Sequence, residues 1–169
     1  MNMSSTEHRR DAPTSVAVHV ITISDTRTLE TDTSGRLIAS LIDESGHRVA
    51  GRTVLKDEPE DVRRTVAALV RDEAVDVVIT TGGTGITARD STFEAIDGLL
   101  EKRLVGFGEL FRMLSYQEIG AAAMLSRATA GLTTRTVILS LPGSEHAVRL
   151  AMEKLVLPEL GHLVREARR

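Results

Sequence analysis

The feature of this sequence that most restricts its fold is an alternation of short aliphatic, β-branched runs with amphipathic segments at helical spacing. Such runs predict buried strands when polar or turn residues bound them, and apolar residues three and four positions apart predict helices. Strands that alternate with helices usually lie parallel, because a helix makes the crossover between them. We therefore expect an α/β fold with three layers, a mostly parallel sheet with helices on both faces. The predicted strands cover residues 16–24, 47–55, 75–81 and 135–141.

The segments between and after these strands predict the helices. Residues 106–132 stand out among them, because they hold three of the four aromatic residues and few charges. This segment is predicted to be helical at first and is less regular after Ile119; it suits either the core or a subunit interface. The first predicted helix begins near Asp32 and ends near Gly46, and the second has Pro59 in its first turn. The third covers residues 91–104, and the fourth begins at Gly106. The last two run from Ser144 towards Pro158 and over residues 159–168.

The composition favours a single soluble domain. The chain has 169 residues, of which 41% are hydrophobic and 27% charged, enough to bury one aliphatic core. Residues 1–14 are polar and predict a flexible N-terminal tail, followed by one domain over residues 15–169. Neither a signal-peptide core nor a run of 18 apolar residues occurs, so we expect a cytoplasmic protein without a membrane partner.

Charge and cysteine content exclude several classes of function. Lys and Arg number 21 against 24 Asp and Glu, a formal charge of −3 that offers no broad basic surface to nucleic acid. The absence of cysteine removes disulfides, thiolate nucleophiles and zinc–thiolate sites. The five histidines lack metal-ligand spacing, and Ser24 and Asp25 have no evident histidine partner for a hydrolytic triad.

Three predicted strands end in polar or glycine-rich turns. Ligands of open α/β sheets bind outside the carboxyl ends of the strands, so these turns are the candidate binding residues and should share one edge of the sheet. The turns are Ser24-Asp25-Thr26-Arg27, Thr81-Gly82-Gly83-Thr84-Gly85 and Ser140-Leu141-Pro142-Gly143-Ser144.

The glycine-rich turn after the third strand is typical of a phosphate cradle. Three glycines let backbone N–H groups approach an anion closely, and the hydroxyl groups of Thr81 and Thr84 add donors. The spacing matches neither a Walker A loop nor the dinucleotide fingerprint. A tight structural turn is the alternative here, and for residues 142–144 the alternative is a plain connection with Ser144 as helix cap.

Two carboxylates follow these strands and are candidate metal ligands. Asp90 comes shortly after the glycine loop, and Asp57 holds the comparable place after the second strand. A carboxylate beside a bound polyphosphate repels it unless both hold a cation, so the pairing implies Mg²⁺. Alternatively, Asp90 caps a helix and Asp57 belongs to a solvated helix start. Arg27 and Arg89 flank the site and could meet phosphate groups.

Four motifs together resemble a known family. They are ISDTRTLETDTSG, TTGGTGITARD, VGFGELFRMLSYQEIG with the SRATAG that follows it, and SLPGS. In this order they resemble the MogA/MoaB proteins of molybdenum cofactor biosynthesis, the group that includes the gephyrin G domain. The resemblance covers roughly residues 15–160 and is greater to the MoaB branch.

The resemblance implies a molybdopterin-binding fold and a molybdopterin adenylyltransferase. Such an enzyme transfers AMP from ATP to the molybdopterin phosphate with Mg²⁺ and releases pyrophosphate. By position, Asp57 and Asp90 match the acidic residues that the family needs, and the glycine loop and the SLPGS turn match its pocket. The family also implies a trimer or, for the MoaB branch, a hexamer. Two alternatives remain: a catalytically silent molybdopterin-binding paralogue that acts as a scaffold, and a general nucleotide-binding protein.

Overall fold

The computed structural model describes residues 12–169, so nearly all of the predicted N-terminal tail lies outside the described residues. Six strands and six α-helices follow, together with one 3₁₀ and one π-helical segment. The strands are β1 (Ala17–Ile23), β2 (Arg48–Leu55), β3 (Val77–Thr81), β4 (Lys102–Arg103), β5 (Thr129–Thr133) and β6 (Thr136–Leu141). The helices are α1 (Thr33–Glu44), α2 (Pro59–Val70), α3 (Thr92–Asp97), α4 (Val105–Ile119), a 3₁₀ segment (Gly120–Leu125), α5 (Glu145–Ala151), a π segment (Met152–Val156) and α6 (Leu157–Ala167).

All six strands form one sheet in the order β2-β1-β3-β6-β5-β4. The first four are parallel, whereas β5 pairs antiparallel with both β6 and β4. The register matches Thr22 with Thr81, and Thr81 with Leu141. The central strands β1, β3 and β6 therefore end at the same edge, and the prediction of a mostly parallel sheet is confirmed.

Alternation along the strands builds two cores, one on each face of the sheet. In β1, Val18 and Val20 pack on the face covered by α1, α4, α5 and α6. Ile21 and Ile23 join the core on the face covered by α2 and α3. Successive side chains of a strand point to opposite faces, so an unbroken apolar run marks a strand buried on both sides. The three predicted layers follow from this packing.

The predicted helix over residues 91–104 is wrong beyond Asp97. Helix α3 ends at Gly98, and Arg103 then folds back onto the Asp97 carboxylate through bonds of 2.7 and 2.9 Å. This return places Lys102 against β5, where a Cβ atom at Gly131 would lie only 2.4 Å from the Lys102 carbonyl oxygen. Strand β5 itself, predicted as part of an irregular helical segment, forms because all five of its residues pair with residues 136–140 of β6.

The two helices predicted at the C-terminal end form one continuous helical run. The π segment joins α5 directly to α6, and Pro158 lies in the first turn of α6. A wide π turn relaxes the helical hydrogen bonds at the point where proline can donate none. Between residues 12 and 169, no helix has both the length and the apolar character needed to cross a membrane.

Candidate functional site

The turns after β1, β3 and β6 lie against one another at a single edge of the sheet. The Gly82 N–H donates to the Leu141 carbonyl oxygen at 3.0 Å, and the Thr81 hydroxyl donates to the Pro142 carbonyl oxygen at 2.9 Å. The Ser34 hydroxyl at the start of α1 donates to the Gly143 carbonyl oxygen at 2.7 Å. The three segments predicted to form the site therefore do come together.

A pocket opens between these turns. Its lining is mostly small and polar, with one cationic side chain, Arg27, and one acidic side chain, Asp32, which is paired with Arg52. The lining residues are Thr22, Ile23, Ser24, Arg27, Asp32, Thr33, Ser34, Thr81, Gly82 and Gly143.

The glycine loop can adopt its path only without side chains. Gly82 and Gly83 have φ angles of 98° and 66°, in the left-handed region. A Cβ atom at Gly82 would lie 2.3 Å from the Ile23 carbonyl oxygen, and one at Gly83 would lie 2.2 Å from the Thr92 hydroxyl oxygen. Within residues 12–169 the N–H groups of Gly83 and Thr84 donate to no protein acceptor. The loop thus holds two backbone donors without a protein acceptor, next to Gly82, which lines the pocket.

Asp57 lies beneath this loop and is buried, with 6% of its surface exposed. Its Oδ1 atom accepts hydrogen bonds from the hydroxyl groups of Ser91 at 2.8 Å and Thr92 at 3.2 Å. Its Oδ2 atom receives only a 3.4 Å bond from the Ser91 N–H and would lie 2.6 Å from a Cβ atom at Gly83. Asp57 therefore anchors the start of α3 with one oxygen and faces the loop with the other.

Asp90 lies on the other side of the loop, beside Gly85. A Cβ atom at Gly85 would lie 2.5 Å from the Asp90 Oδ2 atom. The same oxygen accepts from the Thr87 hydroxyl at 2.5 Å and the Thr87 N–H at 3.0 Å. The Thr87 hydroxyl bond is the main cause that lowers the pKa of Asp90 below its usual value. Asp90 is therefore a carboxylate at neutral pH.

Asp57 and Asp90 thus flank the glycine loop with hard oxygen ligands. In the described part of the chain, no three His, Asp or Glu side chains converge to form a metal cage. Mg²⁺ commonly takes only one or two protein carboxylates and completes its shell with water and substrate phosphates. A Mg²⁺ ion shared between these carboxylates and a substrate stays a prediction, and the described residues offer no metal site enclosed by protein alone.

Asp25 binds a protein cation. Its carboxylate accepts two hydrogen bonds from Arg89, at 2.8 and 2.9 Å, and a 3.3 Å bond from the Asp57 N–H. Arg89 also donates to Glu58 at 2.9 Å. The Arg89 hydrogen bonds are the main cause that lowers the pKa of Asp25, and those with Asp25 and Glu58 raise the pKa of Arg89. Arg89, predicted to meet phosphate, is thus already bound to two carboxylates.

Arg27 remains the cation of the pocket. Its side chain donates to the Thr31 carbonyl oxygen at 2.9 Å, and within residues 12–169 it pairs with no carboxylate. It lines the pocket together with Gly82 and Gly143. Its other guanidinium donors are available to an anionic ligand.

Several predicted binding residues do not line the pocket: Asp25, Gly83, Thr84, Gly85, Ser140, Pro142 and Ser144. Ser140 is fully buried within the sheet, and its hydroxyl has no hydrogen-bond partner. Ser144 caps α5 by accepting from the Ala147 N–H at 3.2 Å, which supports its alternative role as a helix cap. A binding role for either residue stays a prediction.

Asp32 and Arg127 belong to the site and were missed. The sequence marks Asp32 only as the position near which the first helix begins. Its buried carboxylate does cap α1, and it also accepts from the Thr22 hydroxyl and from Arg52, each at 2.8 Å, on the pocket wall. Arg127 donates to the carbonyl oxygens of the glycine loop. Arg127 lies far from the glycine loop in the sequence, so no local pattern connects the two, although Arg127 belongs to the SRATAG motif.

A wider depression lies at the opposite edge of the sheet. Acidic and basic side chains such as Asp72, Arg135 and Arg168 mix in its wall, so it favours no one charge. It also lies at the amino ends of β3 and β6, whereas ligands of open α/β sheets bind beyond the carboxyl ends. The pocket at the glycine loop is therefore the better candidate site.

Known proteins share this fold and much of this sequence. A family model described as "Probable molybdopterin binding domain" matches residues 19–162. Molybdenum cofactor biosynthesis protein B of Bacillus cereus is 55% identical over 168 residues, 99% of each chain. A crystal structure of a molybdenum cofactor biosynthesis protein B superposes with a TM-score of 0.91 at 56% identity, over 94% of this chain and 99% of that one.

A more distant relative has the same architecture. The tungsten cofactor synthesizing protein MoaB from Pyrococcus furiosus superposes with a TM-score of 0.83 at 37% identity, over 94% of this chain and 100% of that one. Both the family model and the relatives span the glycine loop, the flanking carboxylates and the turns after β1 and β6. The chain therefore belongs to the molybdopterin-binding MogA/MoaB family, with its similarity on the MoaB side.

Proposed function

We propose that the protein takes part in molybdenum cofactor biosynthesis as a molybdopterin adenylyltransferase. It binds molybdopterin and ATP, transfers AMP to the molybdopterin phosphate and releases pyrophosphate. The observation that carries the proposal is the glycine loop with two free N–H donors, held between the carboxylates of Asp57 and Asp90. Family membership supports the pterin as the second substrate.

The transfer needs no covalent nucleophile from the protein. An oxygen of the pterin phosphate forms a bond to the α-phosphorus of ATP, and the bond from that phosphorus to the bridging oxygen of pyrophosphate breaks. Positioning and charge neutralisation supply most of the catalysis in such displacements. The chain contains no cysteine, and the reaction requires none.

Each part of the site has a role in this reaction. The N–H groups of Gly83 and Thr84 donate to phosphate oxygens, and Arg27 offsets their charge. Asp57 and Asp90 are the residues that would hold Mg²⁺ beside the substrate phosphates. When bound, Mg²⁺ neutralises charge on the α-phosphate and on the departing pyrophosphate.

A second candidate is a catalytically silent molybdopterin-binding protein that serves as a scaffold. The specific observation in its favour is that Asp57 already anchors α3 through Ser91 and Thr92, a structural role that needs no metal. In this case the pocket would bind the pterin, and no pyrophosphate would form.

One assay separates the two candidates. Purified protein is mixed with ATP, Mg²⁺ and molybdopterin, and pyrophosphate is measured together with pterin binding. We expect pyrophosphate release by the wild-type protein. We expect a loss of at least about a hundredfold in Asp90→Asn, because an amide neither neutralises nor holds the cation. Pterin binding without pyrophosphate supports the scaffold, and unchanged turnover by Asp90→Asn would contradict the catalytic role of Asp90.

The assembly and the setting of the protein follow from the same proposal. The exposed apolar side chains of α4 and the 3₁₀ segment support a homo-oligomer, a trimer or a hexamer. A cytoplasmic location and the lack of nucleic-acid partners stay predictions.

A further inference from the structure

Arg127, just before β5, reaches across the fold to the glycine loop. Its Nε atom donates to the Thr84 carbonyl oxygen at 3.2 Å, and its Nη2 atom donates to the Gly85 carbonyl oxygen. Its Nη1 atom donates to Glu94 on α3, and the guanidinium lies 4.8 Å from the centroid of the Phe93 ring. Each of its three nitrogens therefore already has a protein acceptor.

These bonds fix the direction of the peptide groups of the loop. In a planar trans peptide the N–H points opposite to the C=O of the same unit. When Arg127 holds the Thr84 carbonyl, it sets the direction of the Gly85 N–H. Gly85 itself packs against Asp90, since a Cβ atom at Gly85 would lie 2.5 Å from the Asp90 Oδ2 atom. A chain of contacts thus runs from Arg127 through one peptide plane to the carboxylate of Asp90.

The backbone around Arg127 is itself held from α4. Arg112 donates to the carbonyl oxygens of Ser126 at 3.4 Å and Ala128 at 3.3 Å, one residue on each side of Arg127. Only 23% of the Arg127 side chain is exposed. The side chain therefore has a fixed base and a fixed target, unlike a cation that swings freely at a surface.

We propose that Arg127 is a positioning residue, which sets the Gly82–Gly85 loop and Asp90 for a phosphate-bearing substrate by binding backbone carbonyl oxygens. It acts without touching the phosphate. This inference rests on the proposed function for the identity of the ligand, ATP, and on the geometry of the loop for everything else.

The test compares Arg127→Gln and Arg127→Lys with the wild-type protein. Two quantities are measured: the Kd of ATP with Mg²⁺ by calorimetry, and hydrogen–deuterium exchange at the amides of residues 82–90. Lysine keeps the charge but cannot donate in the planar fork that reaches two carbonyls at once. We expect both variants to bind ATP about tenfold more weakly and to exchange faster in the loop, because charge-assisted bonds to its backbone are lost.

Arg103→Gln is the matched control. Arg103 also donates to a carboxylate and to a backbone carbonyl oxygen, both of Asp97, away from the loop. We expect its ATP affinity and loop exchange to stay within about twofold of the wild-type values, as is usual for exposed pairs.

Three results would overturn the proposal. The first is wild-type affinity in Arg127→Lys, which would mean that the charge alone matters. The second is unchanged loop exchange in Arg127→Gln, and the third is an equal loss in Arg103→Gln. If Arg127→Gln fails to fold by circular dichroism, Arg127→Lys decides, since it keeps the stem and the charge. If the wild-type protein binds no ATP, the proposed function fails, and loop exchange alone decides the role of Arg127.

Discussion

Asp57 and Asp90 carry equal charge but stand in different surroundings. Asp57 is buried and anchors α3 through Ser91 and Thr92, whereas Asp90 bonds chiefly to Thr87 in its own loop. Removal of a buried carboxylate leaves its donors unsatisfied, which typically costs about 1–3 kcal/mol. Substitution of Asp57 would therefore disturb both fold and chemistry. Asp90 is the residue at which chemistry can be tested with the smaller effect on stability.

His19 should make the stability of the protein depend on pH. Its Nε2 atom lies 2.9 Å from the Thr53 hydroxyl oxygen, and its ring covers Gly51, where a Cβ atom would lie 2.8 Å from the ring. Burial lowers the pKa of His19 below 6.5. At pH values below the pKa of His19 in the unfolded chain, the unfolded chain therefore binds more protons at this residue than the folded protein does. This contribution to stability is present above about pH 6.5 and is lost as pH falls through the folded-state pKa.

We expect the wild-type Tm to fall between pH 7.5 and pH 5, and to fall less in His19→Gln. Thermal unfolding followed by circular dichroism gives both slopes. An equal slope in wild type and His19→Gln would assign the pH dependence to other groups, His47 first among them, since burial lowers its pKa too.

Among the elements, the loop between β3 and α3 depends most strictly on the absence of side chains. Gly83→Ala should destabilise the fold for two reasons: the left-handed φ of 66°, and overlap with Thr92 and Asp57. Gly46→Ala meets only the strain of a left-handed φ, here 80°, because no atom lies within 4 Å of the added Cβ atom. We expect a loss of about 1–2 kcal/mol at Gly46 and about 3 kcal/mol or more at Gly83.

Urea unfolding measures the free energy of unfolding of both variants. The difference between their losses gives the cost of the steric overlap at Gly83. Similar losses in the two variants would mean that the loop can shift away from α3. In that case the close packing of Gly83 on Asp57 would not be what shapes the cradle.

Pattern alone predicts some elements and not others. The apolar run of β3 and the glycines after it predict a strand end with a backbone cradle, because local sterics decide both. The length of α3 and the existence of β5 depend on distant partners. Gly131 suits a strand only because Lys102 packs closely on it, and Arg127 joins the site only because β5 pairs with β6. Periodicity within a segment contains no information about either contact.

At the scale of the whole molecule, the proposed anionic substrates must be bound by a few local groups, because the chain is acidic overall. The formal charge of −3 gives no attractive field, and most cations near the site are already paired with carboxylates, as Arg89 and Arg52 are. Backbone N–H groups and Arg27 remain, with a cation between two carboxylates in the proposed complex. Substrate affinity should therefore depend on Mg²⁺ more than on surface charge.

Helix α4 and the 3₁₀ segment after it have two unlike sides. Phe111 is buried in the core, with 1% exposed, while apolar side chains on the outer side remain open to solvent. For residues 106–132 the sequence left core and interface as alternatives. Phe111 belongs to the core, and the exposed apolar side chains suit an interface. The exposed apolar residues are Val105, Leu110, Met113, Tyr116, Ile119, Met124 and Leu125. Exposed apolar side chains gathered on one helix and the segment after it usually mark a protein contact, which supports the predicted trimer or hexamer.

A charge placed on this apolar surface tests whether the surface is a contact between subunits. Met113 is 52% exposed and neighbours Tyr116, 64% exposed, one turn along α4. Met113→Asp would bury an unpaired charge in any contact made there, at a cost of several kcal/mol per contact, while a monomer would pay nothing comparable. Sedimentation should therefore show a trimer or hexamer for the wild-type protein and a shift to the 18.3 kDa chain for Met113→Asp. Ala68→Asp, with the same charge change at an exposed site on α2, should assemble normally. A wild-type protein that sediments only as the single chain, or a variant that assembles unchanged, would refute this surface as the contact.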